Sequence, residues 1–230
     1  MQIIPIENIL FMLIPIAVVG YFYSRWIGNT KEIAYATLRM SAQLLLIGYV
    51  LEFLFTNNSL WSGVLIALFM IAVSSFIALR SFQTKTLRSY LQIFSAIAIG
   101  GTLNLIIVLA AVLDLESLYV PMIMIPLAGM IYANAMNAVA ISAERFNNEI
   151  LDKSYKEARM FAFKAAMIPQ INALLAVGLV SLPGMMTGQI LSGVTPLIAA
   201  RYQIVVMAMV LGSSGISTIL FLLWQKRNDS

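Results

Sequence analysis

Seven apolar segments, at roughly 9–25, 36–55, 60–79, 90–113, 119–142, 169–191 and 202–224, take up most of this 230-residue chain. Each approaches the ~20 residues that a helix needs to cross a bilayer. Only 10% of the residues are charged, against ~25% in a soluble domain. Little is left over for a soluble domain, so residues 1–230 read as a single transmembrane unit. The expected fold is an all-α integral membrane protein with about seven transmembrane helices.

The basic residues orient it. Arg25, Lys31 and Arg39 flank the first loop, and Arg80, Lys85 and Arg88 fill the third. Arg145, Lys153, Lys156, Arg159 and Lys164 fill the fifth, and Lys226 and Arg227 end the chain. The intervening stretches "FTNNSL" and "DLESLY" have none, and Arg201 alone of the fourteen falls on the other side. Cytoplasmic loops carry such an excess. The N-terminus is expected outside and the C-terminus in the cytoplasm, in a cell (inner) membrane. The net charge of +4 then records topology and not a nucleic-acid partner. "MQIIPIENIL" lacks a basic n-region, so no cleaved signal peptide is expected.

Cysteine and histidine are both absent, which excludes disulfides, thiol chemistry, zinc sites and histidine acid–base catalysis. No Walker A sequence is present, because "GMMTG" lacks the following Lys-Ser/Thr. The fourteen methionines would suit soft ions, but ordinary core packing is the preferred explanation.

Several spans carry polar groups. Gln43 lies one turn from Arg39 on the same helix face, and Glu52 lies near the outer end of its span. Asn134 and Asn137 share a face in "PLAGMIYANAMNAVAIS". Tight helix packing and a polar pathway both account for them. Two spans contain proline before Gly-Met: "PLAGM", with Pro126 and Gly129, and "LPGMM", with Pro183 and Gly184. Four glycines and a proline interrupt "GLVSLPGMMTGQILSG". Lipid penalises a broken backbone unless it is buried in protein or lines a cavity. Both spans are therefore expected to be half-broken around a substrate region. Gly184 and Gly188 also form a GxxxG pair. Met185, Thr187 and Gln189 join Gln43, Glu52, Asn134 and Asn137 as candidate pathway residues. Residues 143–168 read as one amphipathic cytoplasmic helix, suited to lying in the membrane interface or to docking a partner.

"ATLRMSAQLLLIGYVL", "PLAGMIYANAMNAVAIS" and "IPQINALLAVGLVSLPGMMTGQILSGVTPLIAARYQIVV" resemble the FetB type of ABC-transporter permease, a family linked to iron export and related to plant aluminium-tolerance permeases. The likeness runs from about Ala36 to Leu220, and GLVSLPGMMTGQIL and RYQIVV are its specific part. The resemblance implies a permease that forms a homodimer and binds a separate cytoplasmic ABC ATPase. ATP and Mg would sit on that partner and no cofactor on this chain, which would itself not be an enzyme. It implies export of a metal ion, iron, by alternating access at the helices around Pro126 and Pro183. Segment 143–168 would be the coupling element, with Lys153, Tyr155, Lys156, Glu157 and Arg159 meeting the ATPase. The family's loop is longer and carries a Leu-Gly-Ala turn, whereas this chain has no glycine between Gly129 and Gly178. An organic substrate such as a nucleotide sugar is the alternative cargo. An ATPase-independent channel or scaffold is the alternative class.

Overall fold

A computed structural model of the chain describes residues 5–29, 31–55, 60–82, 85–115 and 119–225. Their regular structure is helical, apart from one isolated bridge between Val177 and Ser181. The chain divides into two units, Met1–Asn57 and Asn58–Ser230.

The first unit holds α1 (Ile6–Ile9), a 3-10 turn (Leu10–Met12), α2 (Leu13–Ile27) and α3 (Glu32–Phe55). α2 stops at Gly28, whose φ of 79° is a left-handed conformation open to glycine. The connection is fastened at Glu32, whose carboxylate accepts hydrogen bonds from the Tyr23 hydroxyl at 2.8 Å and the Asn29 amide at 2.9 Å. No residue of α2 is buried, and Trp26 and Tyr49 stand almost fully exposed. An apolar helix pair without a core of its own is stable where lipid surrounds it.

The second unit holds α4 (Leu60–Ala78) with a 3-10 turn (Leu79–Ser81), and α5 (Leu87–Ile106) running into a π-helical segment (Ile107–Val112). α6 (Pro121–Glu149), α7 (Tyr155–Ala176), α8 (Gly184–Leu191) and α9 (Pro196–Gln225) follow. Lipid tails are as apolar as leucine, so helices in a membrane associate through close packing, and small residues at the contacts permit it. α9 buries Ser213, Ser214, Ser217 and Thr218 completely. Gly100 of α5 sits against them so closely that a Cβ there would lie 2.4 Å from Ser217 Oγ. Gly101 receives the Tyr132 ring of α6 in the same way, and that ring's hydroxyl shares a 3.1 Å hydrogen bond with Thr102. On α7, Ala158, Ala162 and Ala166 are fully buried, one small residue per turn.

Among the described residues, six helices are long and apolar enough to cross a membrane. The expected span at 169–191 takes another form. Its first part is the second half of α7, and its remainder is a turn followed by the eight-residue α8. α7 has the length to cross, ~33 Å for its 22 residues, but Lys156, Glu157, Arg159 and Lys164 crowd its first half. Placing the basic residues before α7 and after α9 on one side requires α7 to carry the chain back across. Segment 143–168 is likewise two pieces. Residues up to Glu149 belong to α6, and α7 begins anew after Ser154.

Candidate functional site

α6 carries one continuous polar-to-apolar face. Pro126, Met130, Asn134, Asn137, Ile141 and Glu144 follow at steps of three or four residues, which align on a helix. From Pro126 to Glu144 the face is ~27 Å long, close to the hydrocarbon thickness of a bilayer. Two cavities open along it. Pro126 and Met130 line an outer one of about 560 Å³. Asn134, Asn137, Ile141 and Glu144 line an inner one of about 470 Å³.

The outer cavity takes part of its wall from α8, which irregular backbone flanks on both sides. After α7 the chain turns at Gly178, with φ of 82°, and Gly178 N–H bonds Ser181 C=O at 2.9 Å. Pro183 precedes the first turn of α8 in an extended conformation. α8 ends at Gly193, φ 93°, where Val194 N–H bonds Gln189 C=O and Gly193 N–H bonds Ile190 C=O, each at 3.0 Å. This is the paired closure that a left-handed glycine allows. α8 thus presents Met185 and Gln189 to the cavity. Val108 of the π-helical segment also lines it, and such segments recur at functional sites. Tyr202 of α9 supplies a phenol. The Gln189 Oε1 atom is buried with no hydrogen-bond partner among the described residues.

The inner cavity is more polar. Ser81, Gln170 and Pro169 complete its wall. Asn134 donates from Nδ2 to its own helix at Met130 C=O, 2.8 Å away. Asn137 is exposed on the surface of α6. Each cavity contains a proline from inside a helix, Pro126 of α6 and Pro169 of α7. A proline has no N–H to offer the carbonyl four residues back. The carbonyls of Met122 and Ala165 therefore lose their helical partners beside the two cavities. α6 nevertheless continues through Pro126 without interruption, so the break expected there is confined to one missing hydrogen bond. The full break is at Gly178–Pro183.

The expected residues therefore divide. Met185 and Gln189 reach the outer cavity, and Asn134 and Asn137 the inner one. The Thr187 hydroxyl bonds Pro183 C=O on its own helix at 3.2 Å. Gly129 faces Met70, whereas a Cβ on Gly184 or Gly188 meets nothing within 4 Å. Gln43 and Glu52 lie on α3, in the first unit; Gln43 is exposed, and the Glu52 side chain lies outside the described residues. Sequence reasoning missed Glu144, Gln170 and Tyr202. Glu144 was within reach, because it extends the Asn134–Asn137 face by two further turns. No group of three or more His, Cys, Asp or Glu occurs among the described residues. The cavities offer amides, hydroxyls, thioethers and one carboxylate.

Below the inner cavity, α6 and α7 meet in a rigid elbow. The buried Glu149 carboxylate takes Arg145 at 2.5 Å and also Lys153. Phe146 and Tyr155 pack edge to face at 5.9 Å. Tyr155 donates its hydroxyl to Leu222 C=O at 2.7 Å, near the C-terminus of α9, where carbonyls lack helical partners. Ser154 and Glu157 form a reciprocal capping box that starts α7. Of the five residues expected to meet an ATPase, Lys153, Tyr155 and Glu157 thus hold the elbow together, and Lys156 and Arg159 line a groove beside it.

Hydrogen bonds from the Ser154 side chain and backbone hold the Glu157 carboxyl below its ordinary range. A lowered folded-state pKa contributes stability that is complete above the unfolded value and is lost as pH falls through the folded one. The first turn of α7 is therefore expected to stay closed at neutral pH and to open only below the usual glutamate range of ~4.3. Ser154→Ala is expected to open it at neutral pH, at a cost of about 1 kcal/mol. Hydrogen exchange at the α7 N-terminus, followed against pH, checks both.

The chain matches the family described as "Uncharacterised protein family (UPF0014)" over residues 6–228. It belongs to the UPF0014 family. Among proteins similar to it is one of Escherichia coli strain K12 named "Probable iron export permease protein FetB", 31% identical over 83% of this chain and 78% of that one. Another is "Protein ALUMINUM SENSITIVE 3" of Arabidopsis thaliana, 32% identical over 88% of this chain and 79% of its own length. A third is the membrane protein STAR2 of rice, 30% identical over 90% and 77% respectively. No solved structure matches the chain. With its apolar helices and these relatives, this UPF0014 protein is a multi-pass membrane protein.

Proposed function

We propose that this UPF0014 protein is the permease subunit of an ABC transporter, and that its cargo moves along the Pro126–Glu144 face of α6. One observation carries the reading: two cavities follow one helix face across the thickness of a membrane, and Asn134, Asn137 and Glu144 make its inner part polar. Amides and a carboxylate on an outward face at that depth are costly in lipid, and they mark pathways where they occur. A second copy of the chain, related by a two-fold axis, would cover the face. The chain has no nucleotide motif, so ATP and Mg belong to a cytoplasmic ATPase, which would meet the α6–α7 elbow. Elbow and α9 are tied by the Tyr155–Leu222 hydrogen bond, so a push at the elbow reaches the helix that lines the outer cavity. Export of iron is the reading favoured by the likeness to the protein named as a probable iron export permease. The donor set suits weak, passing contacts with a metal, because firm iron sites use imidazole and carboxylate together.

Co-purification from native membranes, followed by transport in inside-out vesicles, tests this. An ATPase with a Walker A sequence is expected to accompany the chain, and iron uptake into the vesicles is expected to require ATP. A chain that purifies alone and passes solute without ATP would sink the proposal.

A further inference from the structure

A groove of about 810 Å³ runs between α7 and α9 beside the elbow. Met160, Phe163, Ile219 and Leu223 form its floor, and Lys156 and Arg159 stand on its rim. Glu157 also lines it, but its carboxylate accepts hydrogen bonds from Ser154 N–H at 3.1 Å and Ser154 Oγ at 2.7 Å. Its charge is thus engaged with the helix N-terminus, and the rim presents two cations.

The depth of the groove is set by the helices that make it. Its basic end lies at the start of α7 and the end of α9, on the side where the chain's basic residues collect. Its apolar floor continues along α9, a helix long and apolar enough to cross the membrane, and Met160, Ile219 and Leu223 are exposed on it. A basic mouth at the cytoplasmic interface above an apolar channel matches an anionic phospholipid in both parts. Long basic side chains reach the headgroup level while their stems cover the apolar wall. A soluble protein would meet the rim but would have to enter the bilayer to cover the floor.

We propose that this groove binds one anionic phospholipid of the cytoplasmic leaflet, its phosphate between Lys156 and Arg159 and an acyl chain along Phe163 and Ile219. The site is separate from the cavities on α6 and does not depend on what passes them. By filling the space between α7 and α9 next to the elbow, the lipid would brace the two helices where the Tyr155–Leu222 hydrogen bond joins them.

The test uses the full chain, purified in mild detergent, stripped of lipid and titrated with palmitoyl-oleoyl phosphatidylglycerol or phosphatidylcholine. Native mass spectrometry counts the lipid retained. One phosphatidylglycerol per chain is expected at concentrations that leave phosphatidylcholine unbound. Lys156→Gln with Arg159→Gln is expected to lower that occupancy at least tenfold. Lys85→Gln with Lys164→Gln removes the same charge elsewhere on the same side and should retain the lipid. If the rim variant does not fold, Ile219→Trp, which fills the floor, should show the same loss. Equal binding of the two lipids, or full occupancy in the rim and floor variants, overturns the site. So does a rim variant that keeps its lipid and loses a co-purifying ATPase, which would give the rim to a protein partner.

Discussion

Gly100→Leu is expected to eliminate folded protein, and Gly100→Ala to lower its stability sharply. A Cβ at position 100 would lie 2.4 Å from Ser217 Oγ and 2.7 Å from the Ser217 backbone nitrogen. A side-chain oxygen can rotate away, but a backbone nitrogen inside α9 moves only with the helix. Inserting even one carbon therefore separates α5 from α9. Overpacking costs about 1–3 kcal/mol in cores that can adjust, and this contact cannot adjust locally. Gly212→Ala supplies the graded comparison. Its Cβ would meet the Asn104 amide, 2.4 Å from Oδ1, and that group ends a flexible side chain. Its expected effect is smaller, although Asn104 would have to give up its 2.8 Å bond to Gly100 C=O. Gly184→Leu is the control, since nothing lies within 4 Å of a Cβ there, and the variant should insert and fold normally. The checks are the yield of monodisperse protein and its melting temperature in detergent. A Gly100→Leu protein that melts with the wild type would disprove the close α5–α9 seam.

That seam shows where the sequence was readable and where it was not. Apolar length and charge placement gave the helical membrane architecture, because both follow from the bilayer and need no partner helix. The turn at Gly178 and the start of α8 at Pro183 were legible for a related reason: glycine and proline act on their own backbone. The continuity of α6 through Pro126 was not legible. Whether a helix tolerates one missing hydrogen bond depends on what packs around it, and Leu127, Ala128 and Ile131 are buried there. The start of α7 was written locally as Ser154-Tyr155-Lys156-Glu157, yet the apolar period on both sides of it suggested one helix. "IGGTLN" on α5 and "LGSSGIST" on α9 carry close contacts of the α5–α9 seam. Neither stretch says which helix faces which, so Gly100 and Ser217 could be paired only in three dimensions. The same limit explains Gln170, which joins Asn137 at one cavity only because the elbow folds α7 back on α6.

Asn137→Leu combined with Gln170→Leu is expected to abolish transport while leaving the fold intact. Two roles for these amides give opposite results. As packing groups they would join helices, and their loss would lower stability by about 0.6 kcal/mol each, ~1.7 at most. Asn137 is exposed on α6, so its loss costs α6 little cohesion, and the buried Gln170 borders the same cavity. As pathway groups they wet the inner cavity and pass a polar cargo between the outer cavity and Glu144. Leucine at both positions strips two amides from a wall that keeps Ser81, Asn134 and Glu144, and dehydrating a charged or strongly hydrated solute at that gap costs far more than losing a packing bond. Transport should fall at least a hundredfold, equivalent to about 2.7 kcal/mol on the barrier. The melting temperature should hold or rise, because leucine is the less costly residue in a membrane helix. Parallel measurement of cell iron content in an exporter-deficient host and of thermal unfolding separates the two roles. Retained export with a lowered melting temperature would assign the amides to packing and move the pathway off α6.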